Sequence, residues 1–218
     1  MSEESSLSVS PLRALVPHKE WAGLTRYPLQ TFLSGRALLR QGGRGTHVLA
    51  LVRGLVKVVR TDRDGRQRLL AFRGEGEILG EMALQNDGVR LADVWAMTDC
   101  QASIVPAADF QRFVHEHRLA FPLAVMAFNR LREQTEVHDG DIHERLAMAL
   151  LRLVEVSGGD TSFSLTREEL AQHIAVGRKA VSKALERLGP DRVTAGKSRI
   201  EVVSVEGLRQ TVASRVGI

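Results

Sequence analysis

Four cations and a hydroxyl crowd the stretch "RKAVSKALER" (178–187): Arg178, Lys179, Ser182, Lys183 and Arg187. At helical spacing they share one face, while Val181, Leu185 and Leu188 share the other. Guanidinium and ammonium groups donate to the guanine edge and to phosphate oxygens, and a serine hydroxyl reaches either. Ten residues further on, "RVTAGKSRIEVV" (192–203) carries Lys197 and Arg199 at the tip or edge of an expected hairpin. That chemistry is recognition of a polyanion. Other chemistries find less support. Seven histidines at 18, 47, 115, 117, 138, 143 and 173 make no convincing metal-ligand spacing, since 115 and 117 point to different helix faces. A lone cysteine, Cys100, forms no internal disulfide and no Cys-rich metal site, and reads as a buried small hydrophobe. No nucleophile–base pair stands out, and "GEGEILGE" is not followed by the GK[ST] of a phosphate loop, so no enzyme and no catalytic residue is expected.

Several elements must hold those cations in place. In "LTREELAQHIAVGRKAVSKALERL", Thr166 and Glu169 fit a capping box that starts a helix over 167–174. "AVG" is a turn, and Gly177 caps a second helix over 178–188. Leu170, Ile174, Val176, Val181, Leu185 and Leu188 pack the pair on each other and on an amphipathic helix over 142–156. With the hairpin, this is a winged helix–turn–helix, whose second helix enters the major groove. Thr166 joins the expected DNA contacts at the start of the first helix. Charge supports the reading: Phe163–Ile218 holds ten Lys/Arg against six Asp/Glu, whereas residues 1–162 hold twenty of each.

Upstream, the texture is that of short strands. "HVLALVRG", "LVKVVRT", "RLLAFRG" and "ADVWAMTDCQASIV" are apolar runs separated by glycine- or aspartate-bearing turns, with "DRDG" (62–65) as a hairpin signal. They predict an antiparallel sandwich or roll. From Ala107 the period turns helical, with Asp109 placed to cap. In "FPLAVMAFNRLREQTEV", Pro122 suits a first turn, and Leu123, Ala124, Ala127, Phe128 and Leu131 form an apolar stripe. Arg130, Arg132, Glu133 and Glu136 lie mostly off it. Such a stripe packs on its own domain or on a twin helix. The expected class is α+β, divided into a disordered tail (1–10), a β-roll with short N-terminal helices (11–108), a dimerisation helix region (109–137), a hinge (138–141) and the winged helix–turn–helix (142–218). The start "MSEESSLSVS" has no basic region of a secretory signal, no apolar run approaches a membrane span, and a reducing cytoplasm is expected.

With these elements in order, the chain resembles the Crp–Fnr family of transcription factors over about residues 20–215. The motifs that carry the likeness are "GEILGEMAL" (76–84), "RLADVWAMTDC" (90–100) and the helix–turn–helix. The resemblance implies an N-terminal jelly-roll that binds a cyclic nucleotide such as cyclic AMP, a long helix that pairs two subunits, and a winged helix that docks on a palindromic DNA operator and works with RNA polymerase. It places the effector cassette at Gly80, Glu81 and Met82 with Arg90, followed by Leu91 and Ala92, and puts Gln134 or Thr135 near the nucleobase. Glu81 would accept from a ribose hydroxyl and Arg90 would clasp the cyclic phosphate. Four departures follow. Leu91 stands where cyclic-nucleotide binders carry Ser or Thr, which removes a bond of about 1–2 kcal/mol. Asp93 adds negative charge in the same segment. The stretch between "NRLREQ" and "HERLAM" is about one helical turn shorter than usual, and Arg178-Lys179 replaces the family's common Arg-Glu pair. Two rival readings stay open: a nucleotide-sensing regulatory subunit that acts through protein contacts, and a DNA binder with no effector.

Overall fold

The computed structural model describes residues 10–84, 88–136 and 140–213. The expected disordered tail therefore lies outside the described residues except for Ser10, as do residues 138 and 139 of the expected hinge. Two short helices, α1 (Leu12–Leu15) and α2 (His18–Thr25), precede a roll of two facing sheets. Strands β1 (Leu29–Phe32), β8 (Cys100–Pro106), β3 (His47–Arg53) and β6 (Ile78–Leu79) form one sheet in that order. Strands β2 (Ala37–Leu39), β7 (Asp93–Ala96), β4 (Val56–Thr61) and β5 (Gln67–Arg73) form the other, and all pairings are antiparallel. Alternation drives this arrangement: β3 turns Val48 and Ala50 to one side, against α1 and α2, and Leu49 and Leu51 to the other, between the sheets. The expected roll is thus present. "ADVWAMTDCQASIV" is two strands rather than one, because Met97–Asp99 turn the chain between sheets. The "DRDG" hairpin closes with Gly65 at φ +81°, its N–H donating to the Asp62 carbonyl at 2.9 Å. Cys100 is buried, and burial pushes its thiol pKa up.

Helix α3 (Ala107–Glu116) starts at Pro106 as its N-cap. Asp109 is therefore not the cap but a first-turn carboxylate, ion-paired to Arg112. Helix α4 (Ala120–Glu136) follows, with Pro122 in its first turn. The two faces of α4 correct the sequence-based stripe. Leu123 and Met126 turn inward, and so do Arg130 and Glu133, which the spacing puts mostly off the apolar stripe. Ala124 and Phe128 face outward, and Ala127 and Leu131 are exposed at the rim of the cavity described below, with Phe121 77 %, Phe128 65 % and Leu131 63 % exposed. Spacing of 121, 124, 128, 131 and 135 is the 3-4-3-4 repeat of a coiled-coil seam.

The C-terminal domain holds α5 (Ile142–Val156), β9 (Ser162–Phe163), α6 (Arg167–His173), α7 (Arg178–Leu188), a wing of β10 (Val193–Ala195) and β11 (Ile200–Val202), and α8 (Val205–Ala213). Both helices of the sequence-based pair appear within a residue of their expected limits. Leu170, Ile174, Val181, Leu185 and Leu188 join α5 in one core, with Val176 against it. That core runs on without a break into Leu55, Leu69, Phe72 and Met97 of the roll. At the seam the backbones nearly touch: a Cβ on Gly74 would fall 1.7 Å from the Val156 carbonyl oxygen.

Candidate effector pocket and nucleic-acid interface

A cavity of about 460 Å³ opens between β4, β5, the segment after β6 and α4. Its floor is built by backbone. After β6 the chain turns at Gly80 (φ +88°) into a 3₁₀ turn, Glu81–Leu84. Arg90 returns beneath it, only 4 % exposed, with Nη1 donating to the Gly80 carbonyl at 2.7 Å and Nη2 to that of His47. Glycine is required at 80 twice over. The φ suits no side chain, and a Cβ would sit 2.1 Å from Arg90 Nη1. Burial pulls the Arg90 pKa down, with Glu81 opposing, and both burial and Arg90 lower that of His47.

Gly80, Glu81, Met82, Arg90, Leu91, Ala92 and Gln134 all line this cavity, so the structure brings together seven of the eight residues that the resemblance implied. Thr135 does not reach it. Its hydroxyl donates to the Leu131 carbonyl at 3.1 Å, and the residue is exposed on the outer stripe of α4. Asp93 is also displaced from its expected role. Its Oδ1 accepts from the Gln41 N–H at 2.9 Å, and Gln41 in turn bonds Thr61 in both directions at 2.8 Å. The carboxylate ties a turn to a strand and adds no charge at the cavity wall. Glu81 is buried and paired to Arg130, which also binds Glu77 at 2.8 Å and the Ile78 carbonyl at 2.9 Å. Arg130 was missed in the sequence, although it stands one helical turn before Gln134.

The cation face is intact. Arg178, Lys179, Lys183 and Arg187 are exposed on α7 and Ser182 is half-buried, while Val181, Ala184, Leu185 and Leu188 are buried. Thr166 spends its hydroxyl inside the helix cap: Oγ1 accepts from the Glu169 N–H at 3.2 Å and donates to the Glu169 carboxylate at 2.8 Å. Lys197 is exposed at the wing tip, and Arg199 Nε donates to Ser162 Oγ at 2.7 Å. Arg167, unmarked in the sequence, fastens the wing by donating to the Ala195 and Gly196 carbonyls at 2.7 and 3.0 Å. Ala175 adopts φ +49°, a left-handed residue in the "AVG" turn between the helices. Two polar ties hold α6 to the roll: Lys57 pairs with Glu169, and His173 Nδ1 lies 3.1 Å from the Leu69 carbonyl.

Among the described residues no group of three His, Cys, Asp or Glu side chains could hold a metal ion, and no helix is long and apolar enough to cross a membrane.

Comparisons with known proteins agree with this layout. Residues 29–117 match the cyclic nucleotide-binding domain and residues 144–211 the Crp-like helix-turn-helix domain. The chain is 30 % identical to a cyclic AMP receptor protein of Thermus thermophilus, over 88 % of this chain and 92 % of that one. It is 24 % identical to the cAMP-activated global transcriptional regulator CRP of Escherichia coli O6:H1, over 86 % and 94 %. Among solved structures, a CRP-family transcriptional regulator, also of Thermus thermophilus, superposes with a TM-score of 0.71 at 23 % identity, covering 84 % and 96 %, which supports the fold. With a roll that matches the cyclic nucleotide-binding domain, a helical connector and a winged helix–turn–helix in the same order, the chain belongs to the Crp–Fnr family of DNA-binding transcriptional regulators, and not to an enzyme family.

Proposed function

We propose that the protein is a homodimer that reads a palindromic operator with α7 and tunes that binding through an effector in the 460 Å³ cavity. The observation that carries the DNA reading is the segregation on α7, where every cation faces solvent and every large aliphatic side chain is buried. Arg178, Lys179, Ser182 and Lys183 meet base edges, with Arg187 beside them. Lys197 and Arg199 meet phosphate. Thr166 is not among these contacts, since Glu169 occupies both its hydroxyl and its backbone N–H. The apolar seam of α4 supports pairing with a second copy, which would set two recognition helices about 34 Å apart, one DNA turn. RNA polymerase is the expected protein partner at the promoter.

A cyclic nucleotide suits the cavity, with Arg90 toward phosphate and Glu81 toward ribose. One observation favours a second reading, an effector-free regulator. Arg90 is already satisfied by two carbonyls, Glu81 is already paired to Arg130, and Leu91 brings no hydroxyl. Selection of binding sites from randomised duplexes, run with and without cyclic AMP, tests both. An inverted repeat enriched only with cyclic AMP supports effector control, and equal enrichment without it supports the second reading. Lysine at 179 donates where the family's glutamate accepts, so the half-site of the cyclic AMP receptor proteins should not be recovered. No enrichment at all refutes the DNA reading and points to a docking role. Lys197→Ala should weaken every duplex alike and flatten the salt dependence by about 1.8 in log–log slope, roughly 0.9 for each of the two subunits.

A further inference from the structure

Four charged residues buried beside the cavity have no part in contacting DNA. They complete a line of alternating charges that leaves the cassette and ends in the DNA-binding domain. Glu81 pairs with Arg130, and Arg130 with Glu77 at 2.8 Å. Glu77 lies 3.8 Å from Arg73, Arg73 binds Glu133 at 2.7 Å, and Glu133 lies 3.4 Å from Arg152. Three carboxylates and three guanidiniums alternate without a break, with side chains only 3–15 % exposed. They come from the 3₁₀ turn, α4, the end of β5, the segment just before β6 and α5. Burial alone would raise the Glu133 carboxyl pKa, but Arg73, then Arg152 and His173, hold it below the usual carboxylate range.

In such a line each interior carboxylate is shared by two guanidiniums, and water is excluded, so a bond lost at one end is made up by redistribution along the row. The links are unequal. Those at 3.8 and 3.4 Å are long, and both flank the tight Arg73–Glu133 pair. Arg130 lines the cavity and its buried Nε has no hydrogen-bond partner, so the guanidinium can turn without losing a bond there. A ribose hydroxyl that takes Glu81 loosens Arg130 from it, and Arg130 then draws Glu77 further from Arg73. Arg73 closes fully on Glu133, and Arg152 loses its 3.4 Å link to α4 while keeping Glu155, at 2.8 Å, on its own helix. Arg152 sits one turn before Val156, whose carbonyl abuts Gly74 at the domain seam.

We propose that this buried charge line, Glu81–Arg130–Glu77–Arg73–Glu133–Arg152, carries cassette occupancy to α5 and sets how firmly the DNA-binding domain docks on the roll. It rests on the reading of the cassette as an effector site, but its test needs neither effector nor DNA. Glu81→Gln in the full-length protein removes the charge that a bound ribose would engage. Hydrogen exchange should then rise at least threefold in the amides of 142–156, with β3 and β8 unchanged. Asp93→Asn, outside the line, should leave α5 as it was. In an Arg152→Gln background Glu81→Gln should add nothing. Unchanged α5 exchange, or additive effects in the double variant, overturns the proposal. Should Glu81→Gln raise exchange throughout the chain, Glu133→Asp decides, with the same rise confined to α5 expected and no rise refuting it. Calorimetry with cyclic AMP separates the two claims. Binding without a change in α5 overturns the line alone, and absence of binding overturns the effector reading while the Glu81→Gln result stands on its own.

Discussion

Replacing Gly80 by alanine tests the floor of the cavity most directly. Two penalties add. The left-handed backbone costs a side chain about 1–2 kcal/mol. The new Cβ, 2.1 Å from Arg90 Nη1 and 2.9 Å from Leu39 Cδ1, also evicts the guanidinium from the Gly80 and His47 carbonyls. Each hydrogen bond from a charged donor is worth about 1.5–3 kcal/mol, and water entering from the cavity recovers part of the pair. A net loss of about 3–5 kcal/mol follows, which at 2–4 °C per kcal/mol lowers Tm by roughly 6–20 °C. Gly65→Ala is the matched control, because it has φ +81° with no atom within 4 Å of the added Cβ. It suffers only the backbone penalty, a fall of about 2–8 °C. Scanning calorimetry of both variants against the parent reads the difference. If the two fall by the same amount within about 2 °C, Arg90 is not held where the structure puts it, and the argument for its role in the cavity fails.

Phe128→Glu puts a charge in the outer seam of α4 and should weaken dimerisation by at least ~100-fold, since burying even part of a 65 %-exposed phenylalanine on each of two subunits is worth several kcal/mol. Sedimentation across a concentration series checks it, and an unchanged dimer assigns that face elsewhere. Acid should undock the domains. Glu133 and Glu169 both have pKa values below the usual carboxylate range, since burial, which raises each, is outweighed by Arg73 and Lys57 respectively with their neighbours. Their contribution is complete above the unfolded value near 4.3 and is lost as pH falls through the lower folded values. Tm should therefore hold from pH 6 to about 5 and drop below about 4.3, and Glu169→Gln should make that drop shallower. Ala175→Gly relieves a left-handed alanine and should raise Tm by about 2–4 °C. A fall would mean that the alanine methyl packs usefully.

The recognition module was legible because its signals are local. Thr166 and Glu169 lie three residues apart, Gly177 caps α7 directly, and the apolar and charged faces of α7 repeat at helical spacing. The apolar stripe of α4 left packing on its own domain or on a twin helix open, and the inner face was not legible for a non-local reason. Arg130 and Glu133 are buried by partners 49–60 residues away in the chain. Gly80, Glu81 and Arg90 were placed by family likeness. That Arg130 occupies Glu81 is set by how α4 crosses the roll, which no spacing records. Asp93 went wrong similarly, since its acceptor role depends on Gln41, fifty-two residues earlier.

Gly74 has an evolutionary consequence. With the Val156 carbonyl 1.7 Å from where a Cβ would stand, no other amino acid fits without moving one domain off the other. Every missense change in a glycine codon adds at least that carbon. A lineage can therefore step from a docked regulator to an undocked one through a single base, without touching a residue that meets effector or DNA. Drift at this position would retune how the two domains dock while leaving the cassette and the cation face of α7 unchanged.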